Sequence, residues 1–477
     1  MMIFVKIDKF WVLEGDIYMI NYKEKIKQYE EDILKDISYL VEVPSIRNLE
    51  TKDINAPFGE EIRVAFNRFL EIASRLGFNC EDDEGYAVHA EVGKGNEYVG
   101  VLAHIDVVDV QDIDKWETEP FSMTISGGKI WGRGVNDDKG PLIAALYAIK
   151  ILCDMKVNWK RKVRIIVGGA EETTWECMNH YFENHNQPTL GFSPDGNFPI
   201  VNGEKGILAL KLIFENSNCR SKECTIESKN ELNYVCDDLK VVFYNKEIDE
   251  IEIYARNADE IIKGNNEIKL IYKGKTSLSR NPQQGINSIF LFVNDFYSFT
   301  FKDEALKSMI DFIKDNLLDD FYGEKIGLFR EDEKMGKSSI CPMTICYKDG
   351  LGEITLDYRY PKNIFISEVN DRFAELSKEY GYKLSIEREK KLLYVSEGSE
   401  LITALKEAYE EVMKEEAETI TKGGASYARV LDNGVAFGAT FEGEETNPHM
   451  PNENMSISSL MKSIEIYCEA LYRLSCK

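Results

Sequence analysis

Apolar side chains recur at three- and four-residue spacing from Tyr22 onwards, which predicts an amphipathic helix near the start of the chain. Between residues 60 and 205, helical patterns alternate with short runs that are rich in β-branched residues. Residues 98–103 and 163–168 fit buried strands, and residues 141–155 fit a helix between them. This alternation predicts an α/β fold with a mostly parallel sheet, in which ligands collect beyond the carboxyl ends of the strands.

The pattern changes in residues 207–391, where strand-like and helical segments follow each other without this alternation. We interpret the region as a separate α+β domain inserted into the first, with strands at 207–214, 239–244, 267–272, 352–358 and 383–387 and helices at 287–301 and 366–380. The α/β pattern then returns. The α/β domain is therefore predicted in two pieces, residues 19–206 and residues 392–477.

The first 18 residues are apolar and aromatic, but they have neither the basic start nor the small-residue cleavage site of a secretory signal. The helical pattern begins only at Tyr22, shortly after Met19. We therefore expect Met19 to be the natural start of the chain. Residues 1–18 would then be a non-native extension or a loosely held arm.

The composition narrows the class of protein further. A chain of 477 residues is too long for one core, and 43% hydrophobic with 30% charged residues is typical of a soluble protein with two or three domains. The net charge of -25 argues against nucleic acid and anionic membranes as partners. The ten cysteines include no Cys-x-x-Cys pair, which favours reduced thiols and a cytoplasmic location.

Two of the five histidines lie in segments that carry candidate chemistry together with several acidic residues. Two imidazoles and three or four carboxylates are the ligands that a pair of divalent cations needs when the cations share one carboxylate. The segments are Ala-His104-Ile-Asp106, Asn-Asp137-Asp138-Lys, Ala-Glu171-Glu172-Thr, Ser-Pro-Asp195-Gly and Asn-Pro-His449.

These segments also have plainer structural explanations. His104 could be a strand-end histidine with a helix cap nearby. One acid of the Asp137-Asp138 pair could cap the helix that follows it. Glu171-Glu172 could be a first-turn pair that the helix dipole favours, and Asp195 fits a tight turn. A structural histidine is less expected in the proline-flanked loop of His449. The order of the segments along the chain favours a shared site over these separate explanations.

Longer motifs around these residues resemble the M20 family of metallopeptidases, and within it the dinuclear dipeptidases of the PepV type. The resemblance runs from about Tyr22 to the last helix. The motifs that carry it are Ala-Glu171-Glu172-Thr-Thr-Trp-Glu-Cys-Met, Gly-Phe-Ser-Pro-Asp195-Gly, Asn-Gly-Glu-Lys205-Gly and Gly-Gly424-Ala-Ser-Tyr-Ala-Arg429. It implies a mostly parallel catalytic domain with an inserted α+β lid domain.

The resemblance also implies a role for each acidic residue and each of the two histidines. Asp106 would steady His104, and Glu171 would activate a water that bridges two divalent cations. Zinc is the expected metal, and manganese or cobalt would also suit these nitrogen and oxygen ligands. The implied ligands are His104 and Asp195 for one cation, Glu172 and His449 for the other, and Asp137 between the two.

Substrate contacts are implied for the inserted domain and for one loop. Asn233 and Arg359 match the family's substrate-binding asparagine and arginine, and the loop Gly424-Ala425-Ser426 would receive the substrate carboxylate through backbone N–H groups. The length of the inserted domain resembles that of the monomeric dipeptidases. We therefore expect a monomer that acts on small peptides.

One family feature is missing. The family carries a histidine in a Gly-Lys-x-Ala-His segment of the lid, where it stabilises the oxyanion of the tetrahedral intermediate. In this chain the segment is Gly274-Lys275-Thr-Ser-Leu278-Ser-Arg280, so the histidine position falls on Leu278. Arg280, two residues on, is a candidate for a substitute cationic donor.

The expected function is that of a metal-dependent dipeptidase acting on unblocked dipeptides. Two alternatives stay open. One is an N-acyl amino acid deacylase of the same family, against which Asp195 and the long inserted domain weigh. The other is a relative that binds metal and peptide but turns over weakly, because Leu278 replaces the lid histidine.

Overall fold

The computed structural model of the chain describes residues 5–7, 10–12, 22–217, 223–229, 232–244 and 248–477. The chain forms two compact units. Unit 1 comprises Met1–Asn202, Val395–Ile420 and Ser426–Lys477, and unit 2 comprises Gly203–Tyr394 and Thr421–Ala425. Within the part of the chain that the structure describes, no helix is long and apolar enough to cross a membrane.

Unit 1 contains a sheet with helices packed against it, which confirms the predicted α/β fold. The sheet is mixed rather than mostly parallel as predicted. Four neighbouring strands run parallel, and antiparallel strands flank them on both sides. Across the sheet the strand order is Ile200–Glu204, Gly434–Ala436, Leu190–Ser193, Tyr98–His104, Lys162–Gly168, Ala87–Val92 and Asn79–Asp83.

The parallel strands are covered on both faces, which accounts for their apolar sequences. Every side chain of Tyr98–His104 is buried, so a continuous apolar run is favoured over an alternating one. The helices Lys139–Asp154 and Ile457–Cys476 pack on Tyr98–His104 and Lys162–Gly168, and Lys139–Asp154 is buried on nearly all sides. The other helices of unit 1 are Tyr22–Val41, Glu60–Arg75, Glu176–Asn184 and Glu400–Met413.

Short elements complete unit 1. A three-stranded antiparallel sheet consists of Thr124–Ser126, Lys129–Trp131 and Asn454–Ser456. Single 3-10 turns occur at Leu49–Thr51, Ile113–Lys115 and Tyr427–Val430, and the strand Thr419–Lys422 ends in unit 2. The expectation of a non-native extension or a loosely held arm concerns residues 1–18, most of which lie outside the described residues. The structure describes two paired strands there, Val5–Ile7 and Phe10–Val12.

Unit 2 contains an eight-stranded sheet in which all neighbours are antiparallel. One apolar core lies between this sheet and its helices. Alternate residues of the strands contribute to it, as Leu239, Val241 and Phe243 do in the strand Asp238–Tyr244. The strand order is Glu260–Lys263, Glu267–Lys273, Asp238–Tyr244, Cys224–Ser228, Ser339–Lys348, Leu351–Tyr360, Gly206–Glu215 and Lys383–Lys390.

The helices of unit 2 are Ile248–Tyr254, Ser288–Phe296, Glu304–Asn316 and Ile366–Tyr380, with a 3-10 turn at Pro282–Gln284 and short strands at Glu331–Asp332, Gly336–Lys337 and Leu393–Tyr394. The predicted helix 287–301 is therefore wrong at its end. Asn287 caps the helix, which ends at Phe296. Phe299 and Phe301 enter the core from an irregular segment, so their burial imitates a longer helical pattern.

Candidate metal centre

The parallel strands of unit 1 bring three of the predicted segments to one edge of the sheet. His104 is the last residue of its strand. Glu171 comes three residues after the strand Lys162–Gly168, and Asp195 comes two residues after Leu190–Ser193. Since the carboxyl ends of parallel strands meet at the same edge, these side chains lie close together.

His104 presents one ring nitrogen to the acidic centre. Its side chain is fully buried, and Nδ1 lies 3.0 Å from the backbone oxygen of Asp106. Because that oxygen can only accept, Nδ1 donates to it and Nε2 faces Asp137 Oδ1 at 3.0 Å. Burial acts to lower the pKa of His104, but the contacts with Asp106 and Asp137 outweigh it and raise this pKa well above its ordinary value.

Asp137 lies between the two predicted histidine ligands. Its Oδ1 is 3.0 Å from His104 Nε2, and its Oδ2 is 2.9 Å from His449 Nε2. Burial acts to raise the pKa of Asp137, but the two imidazoles hold it well below its usual range. One carboxylate therefore faces a different imidazole with each of its oxygens.

His449 completes the cluster from a loop near the end of the chain. Its Nε2 also lies 3.1 Å from Glu172 Oε1, and the two carboxylates raise the pKa of His449 to about 11. The backbone at His449 is left-handed, with φ 63°. The prolines on either side of the loop restrict their neighbours to extended or turn conformations, which helps to hold this projecting residue in place.

The potential ligand atoms form three sets, and within each set all atoms lie within 4.8 Å of one another. The sets are His104 with Asp137 and Asp195, Asp137 with Glu172 and His449, and His104 with Glu171 and Glu172. The first two sets share Asp137 and coincide with the ligand sets that the resemblance implies. Burial and the nearby Asp137 raise the pKa of Glu172. Divalent cations would offset this crowding of carboxylates, so the residues present fit a pair of them.

Glu171 differs from its neighbour Glu172 in its surroundings. Among the described residues, none donates a hydrogen bond to the Glu171 carboxylate, whereas Glu172 contacts His449. Burial, Asp195 and Glu172 raise the pKa of Glu171 well above its ordinary value. The Trp175 indole donates to the Glu171 backbone oxygen at 2.6 Å. The backbone of Glu171 is therefore held by hydrogen bonds, while its carboxylate can accept a proton.

Asp106 positions this pair of glutamates as well as His104. Its Oδ1 and Oδ2 accept from the backbone N–H groups of Glu171 and Glu172, each at 3.1 Å. Its carboxylate lies 3.6 Å from His104 Nδ1, while its backbone oxygen lies closer to that nitrogen, at 3.0 Å. The predicted role in steadying His104 thus runs mainly through the carbonyl. The carboxylate instead joins two segments of the site.

Two of the plainer explanations are wrong. Asp138 occupies the position before the helix Lys139–Asp154, but its side chain makes no capping hydrogen bond and accepts from the His104 backbone N–H at 3.2 Å. Glu171 and Glu172 do not belong to a first helical turn, because the following helix begins at Glu176.

Glu453 is a site residue that the sequence did not reveal. It is fully buried, and its Oε1 accepts from the backbone N–H groups of Asn136 and Asp137 at 2.9 and 3.1 Å. Its Oε2 accepts from the Gly134 N–H and from Arg133 Nη1, at 3.0 and 2.7 Å. This one carboxylate therefore holds the loop that presents Asp137.

Glu453→Gln should lower metal affinity about ten- to a hundredfold, because an amide nitrogen cannot accept from the Asp137 loop and leaves Arg133 without its charge partner. Titration of the metal-free protein with zinc or manganese measures this. The exposed Glu445→Gln is the matched control and should leave the affinity unchanged. Equal affinities for both variants would show that Glu453 does not position the site.

The substrate residues predicted for the inserted domain lie in unit 2. Asn233 has a left-handed backbone, and its Oδ1 accepts from Arg388 at 2.7 Å. Arg359 is buried, with Nε donating to Asp357 at 2.8 Å and Nη1 donating to the Gly423 oxygen.

Arg280 and Gly424 also meet within unit 2. Arg280 Nη1 would lie 3.2 Å from a Cβ placed on Gly424. Ala425 is the last residue of this segment of unit 2, and Ser426 belongs to unit 1. Leu278 is 37% exposed and forms an isolated bridge with Tyr234. The substrate roles of these residues stay predictions.

Comparison with known proteins identifies relatives over almost the whole chain. A model of Peptidase family M20/M25/M40 matches residues 100–473. Two proteins named "Putative dipeptidase" are similar, one from Staphylococcus haemolyticus and one from Bacillus subtilis. The first is 34% identical over 469 residues, 95% of this chain and 99% of that protein. The second is 33% identical over 470 residues, 96% of this chain and 100% of that protein.

A solved structure supports the fold. The dipeptidase Dug1p from Saccharomyces cerevisiae superimposes with a TM-score of 0.57, over 94% of this chain and 97% of that chain. The sequences are 13% identical, so this likeness bears on the fold alone.

Proposed function

The chain belongs to Peptidase family M20/M25/M40 and is a metallopeptidase, and from that premise we propose that it is a dipeptidase acting on unblocked dipeptides. The names of the relatives from Staphylococcus haemolyticus and Bacillus subtilis support this substrate class. The observation that carries the proposal is the position of Asp137 between the imidazoles of His104 and His449. A carboxylate shared by two ligand sets suits a dinuclear hydrolase.

We assign the ligands as the family resemblance implies them. His104 and Asp195 would hold one cation, Glu172 and His449 the other, and Asp137 would lie between them. A pair of divalent cations supplies polarisation of the scissile carbonyl and a lowered pKa of the attacking water. Zinc is the proposed metal, and manganese or cobalt would fit the same donor set.

Glu171 is the proposed general base and acid. Its carboxylate is 4.8 Å or less from the ligand atoms of His104 and Glu172, and its backbone is fixed by Asp106 and Trp175. In this role Glu171 takes the proton of the attacking water and passes it to the leaving amine. Asp106 acts through the backbone of Glu171 and Glu172 and is a positioning residue.

Because Leu278 occupies the position of the family's lid histidine, another residue has to stabilise the oxyanion. Asn233, Arg359 and the loop Gly424-Ala425-Ser426 stay proposed substrate contacts, and Arg280 stays the proposed substitute donor. A donor of this kind acts on the transition state, so Arg280→Ala should lower kcat rather than raise KM.

Free thiols at the described cysteines are compatible with the proposed cytoplasmic location. We also propose a monomer.

A substrate panel tests the proposed function. Metal-loaded protein should release free amino acids from unblocked dipeptides and should not cleave the same dipeptides after N-acetylation. Chelator-treated protein is the control, and its activity should return when the metal is added back. Release from N-acetyl amino acids alone would favour the deacylase. Release from neither class by protein that binds two cations would favour a binding relative with weak turnover.

A further inference from the structure

The three histidines outside the metal centre lie side by side in unit 1. His180 belongs to the helix Glu176–Asn184, His185 directly follows that helix, and His89 lies on the strand Ala87–Val92. The ring centroids of His89 and His185 are 5.4 Å apart. The chain has only five histidines, so a second group that contains all the others needs an explanation of its own.

Carboxylates of one hairpin face two of these imidazoles. The hairpin pairs the strands Asn79–Asp83 and Ala87–Val92, and its turn follows the acidic run Glu-Asp-Asp-Glu at 81–84. One imidazole faces two carboxylates, because His180 Nε2 lies 3.8 Å from Asp83 Oδ2 and 3.3 Å from Glu84 Oε2.

The other imidazole has a similar position. His185 Nε2 lies 3.6 Å from Asp83 Oδ1 and 3.8 Å from Glu81 Oε1. Asp83 therefore faces a different imidazole with each of its oxygens.

The separations between these atoms suit two ligands of one cation better than a hydrogen bond. A hydrogen bond from N–H to oxygen spans about 2.7–3.2 Å between the heavy atoms. Two ligands that each lie about 2.0–2.1 Å from a tetrahedral zinc ion are roughly 3.3–3.4 Å apart. The separations here, from 3.3 to 3.8 Å, begin at that spacing.

Two atoms of the group are buried without a hydrogen-bond partner among the described residues, and these are Asp83 Oδ2 and His185 Nε2. Asp83 is only 8% exposed. Burial raises the pKa of Asp83, and the imidazoles of His180 and His185 act in the opposite direction. A buried carboxylate oxygen and a buried ring nitrogen without partners fit a ligand that accepts their lone pairs, as a divalent cation does.

Stacking of aromatic rings holds the two imidazoles in place. Tyr86 stacks on His180 with the ring centroids 4.0 Å apart and the planes 16° apart. Tyr181 stacks on His185 at 4.3 Å and 25°. Because both rings are restricted before a ligand binds, less conformational entropy is lost on binding.

His89 supports the group rather than adding a ligand. Arg164 donates to the Tyr181 hydroxyl at 3.1 Å, which leaves the hydroxyl proton for His89 Nδ1 at 3.0 Å. The ring proton of His89 is then on Nε2, which faces Glu81 Oε2 at 3.6 Å. Burial, and after it the charge of Arg164, lowers the pKa of His89 to about 3, so this ring stays neutral.

Exposed side chains leave room for the group to close around a cation. Within the described residues, its donor atoms come close in pairs, and no three of them lie within 4.8 Å of one another. Asn184 Nδ2 lies 3.4 Å from His180 Nε2 and 3.3 Å from Asp83 Oδ1. Asn184 and Glu84 are both exposed, so the amide can move aside and the Glu84 carboxylate can move inward.

We propose that this group binds an additional divalent cation, separate from the pair assigned to the metal centre. Its ligands are the imidazoles of His180 and His185 and the carboxylates of Asp83 and Glu84. Two nitrogen and two oxygen ligands form a closed set of four, which is the coordination number of structural zinc sites. The cation ties the end of the helix Glu176–Asn184 to the hairpin. The inference goes beyond the proposed peptidase activity and does not rest on it, because binding is measured without turnover.

The zinc content of the full-length protein tests the proposal. After incubation with excess zinc and removal of free ions by gel filtration, the unchanged protein should retain one zinc ion more than the double variant His180→Gln/His185→Gln. The difference between the two proteins counts only the additional ion, so it does not depend on the metal centre. Equal zinc content, or a difference that appears only in the presence of millimolar free zinc, would overturn the proposal.

A second variant decides the matter if the double variant does not fold. Asp83→Asn preserves the shape of the side chain and should weaken binding of the additional ion at least about tenfold, since even residues that only support a ligand contribute that much. Zinc should therefore raise the melting temperature less in Asp83→Asn than in the unchanged protein.

Glu183→Gln is the matched control, because this exposed acid lies between the two histidines along the chain and is not one of the proposed ligands. It should retain the full zinc content and the full gain in melting temperature. Loss of the ion in Asp83→Asn but not in Glu183→Gln supports the site. Full zinc affinity and a full gain in Asp83→Asn would refute it.

Discussion

Replacing Glu171 with glutamine should lower kcat about a thousandfold and leave the number of bound cations unchanged. The amide has the same shape as the carboxylate but cannot take a proton from water at neutral pH. Nothing else about residue 171 should change, because its backbone N–H donates to Asp106 and its backbone oxygen accepts from Trp175. Single-turnover rates on a dipeptide test the expected loss of activity. Inductively coupled plasma mass spectrometry measures the number of bound cations.

The measurement of metal content decides between a base and a ligand. Glu171 shares a potential ligand set with His104 and Glu172, so loss of a cation in Glu171→Gln would contradict the proposed division of roles. Glu172→Gln is the sharpest comparison, since the neighbouring acid contacts His449 and should lose a cation along with activity. The exposed Glu183→Gln should change neither quantity.

The strands that build the site could be predicted from the sequence because burial on two faces produces a distinctive pattern. Tyr98–His104 is buried at every position and appears as one apolar run that ends in a histidine. The edge strand Asn79–Asp83 gives no such signal. Its sequence Asn-Cys-Glu-Asp-Asp is polar and mostly exposed, as suits an edge strand that must not pair with another chain.

The proximity of three candidate site residues could be predicted for a similar reason, whereas the residues that support the site could not. His104, Glu171 and Asp195 follow strands that end at one edge of the sheet, so their proximity follows from the parallel order. Glu453 binds backbone N–H groups, and its bond to Asn136 spans 317 positions. Backbone donors have no signature in the sequence. A buried acid that binds them therefore resembles any loop glutamate.

Replacing Asp137 with asparagine should remove at least one of two bound cations and lower turnover by about a thousandfold or more. Each Asp137 oxygen faces a different imidazole, at 3.0 Å for His104 and 2.9 Å for His449. Asparagine keeps one of these oxygens and replaces the other with an NH2 group that cannot bind a cation. His449→Ala should be milder for the first cation, because His449 belongs to only one of the sets that contain Asp137.

The asparagine variant separates coordination from folding, because it preserves the shape of residue 137 and the backbone N–H that donates to Glu453. Cations that bind only the folded protein raise its melting temperature according to their concentration and affinity. The gain in melting temperature on adding zinc should therefore shrink in Asp137→Asn and stay intact in the exposed Asp109→Asn. A full gain with two cations bound in Asp137→Asn would mean that the two sets do not share this carboxylate. Glu171 or Glu172 would then have to join them instead.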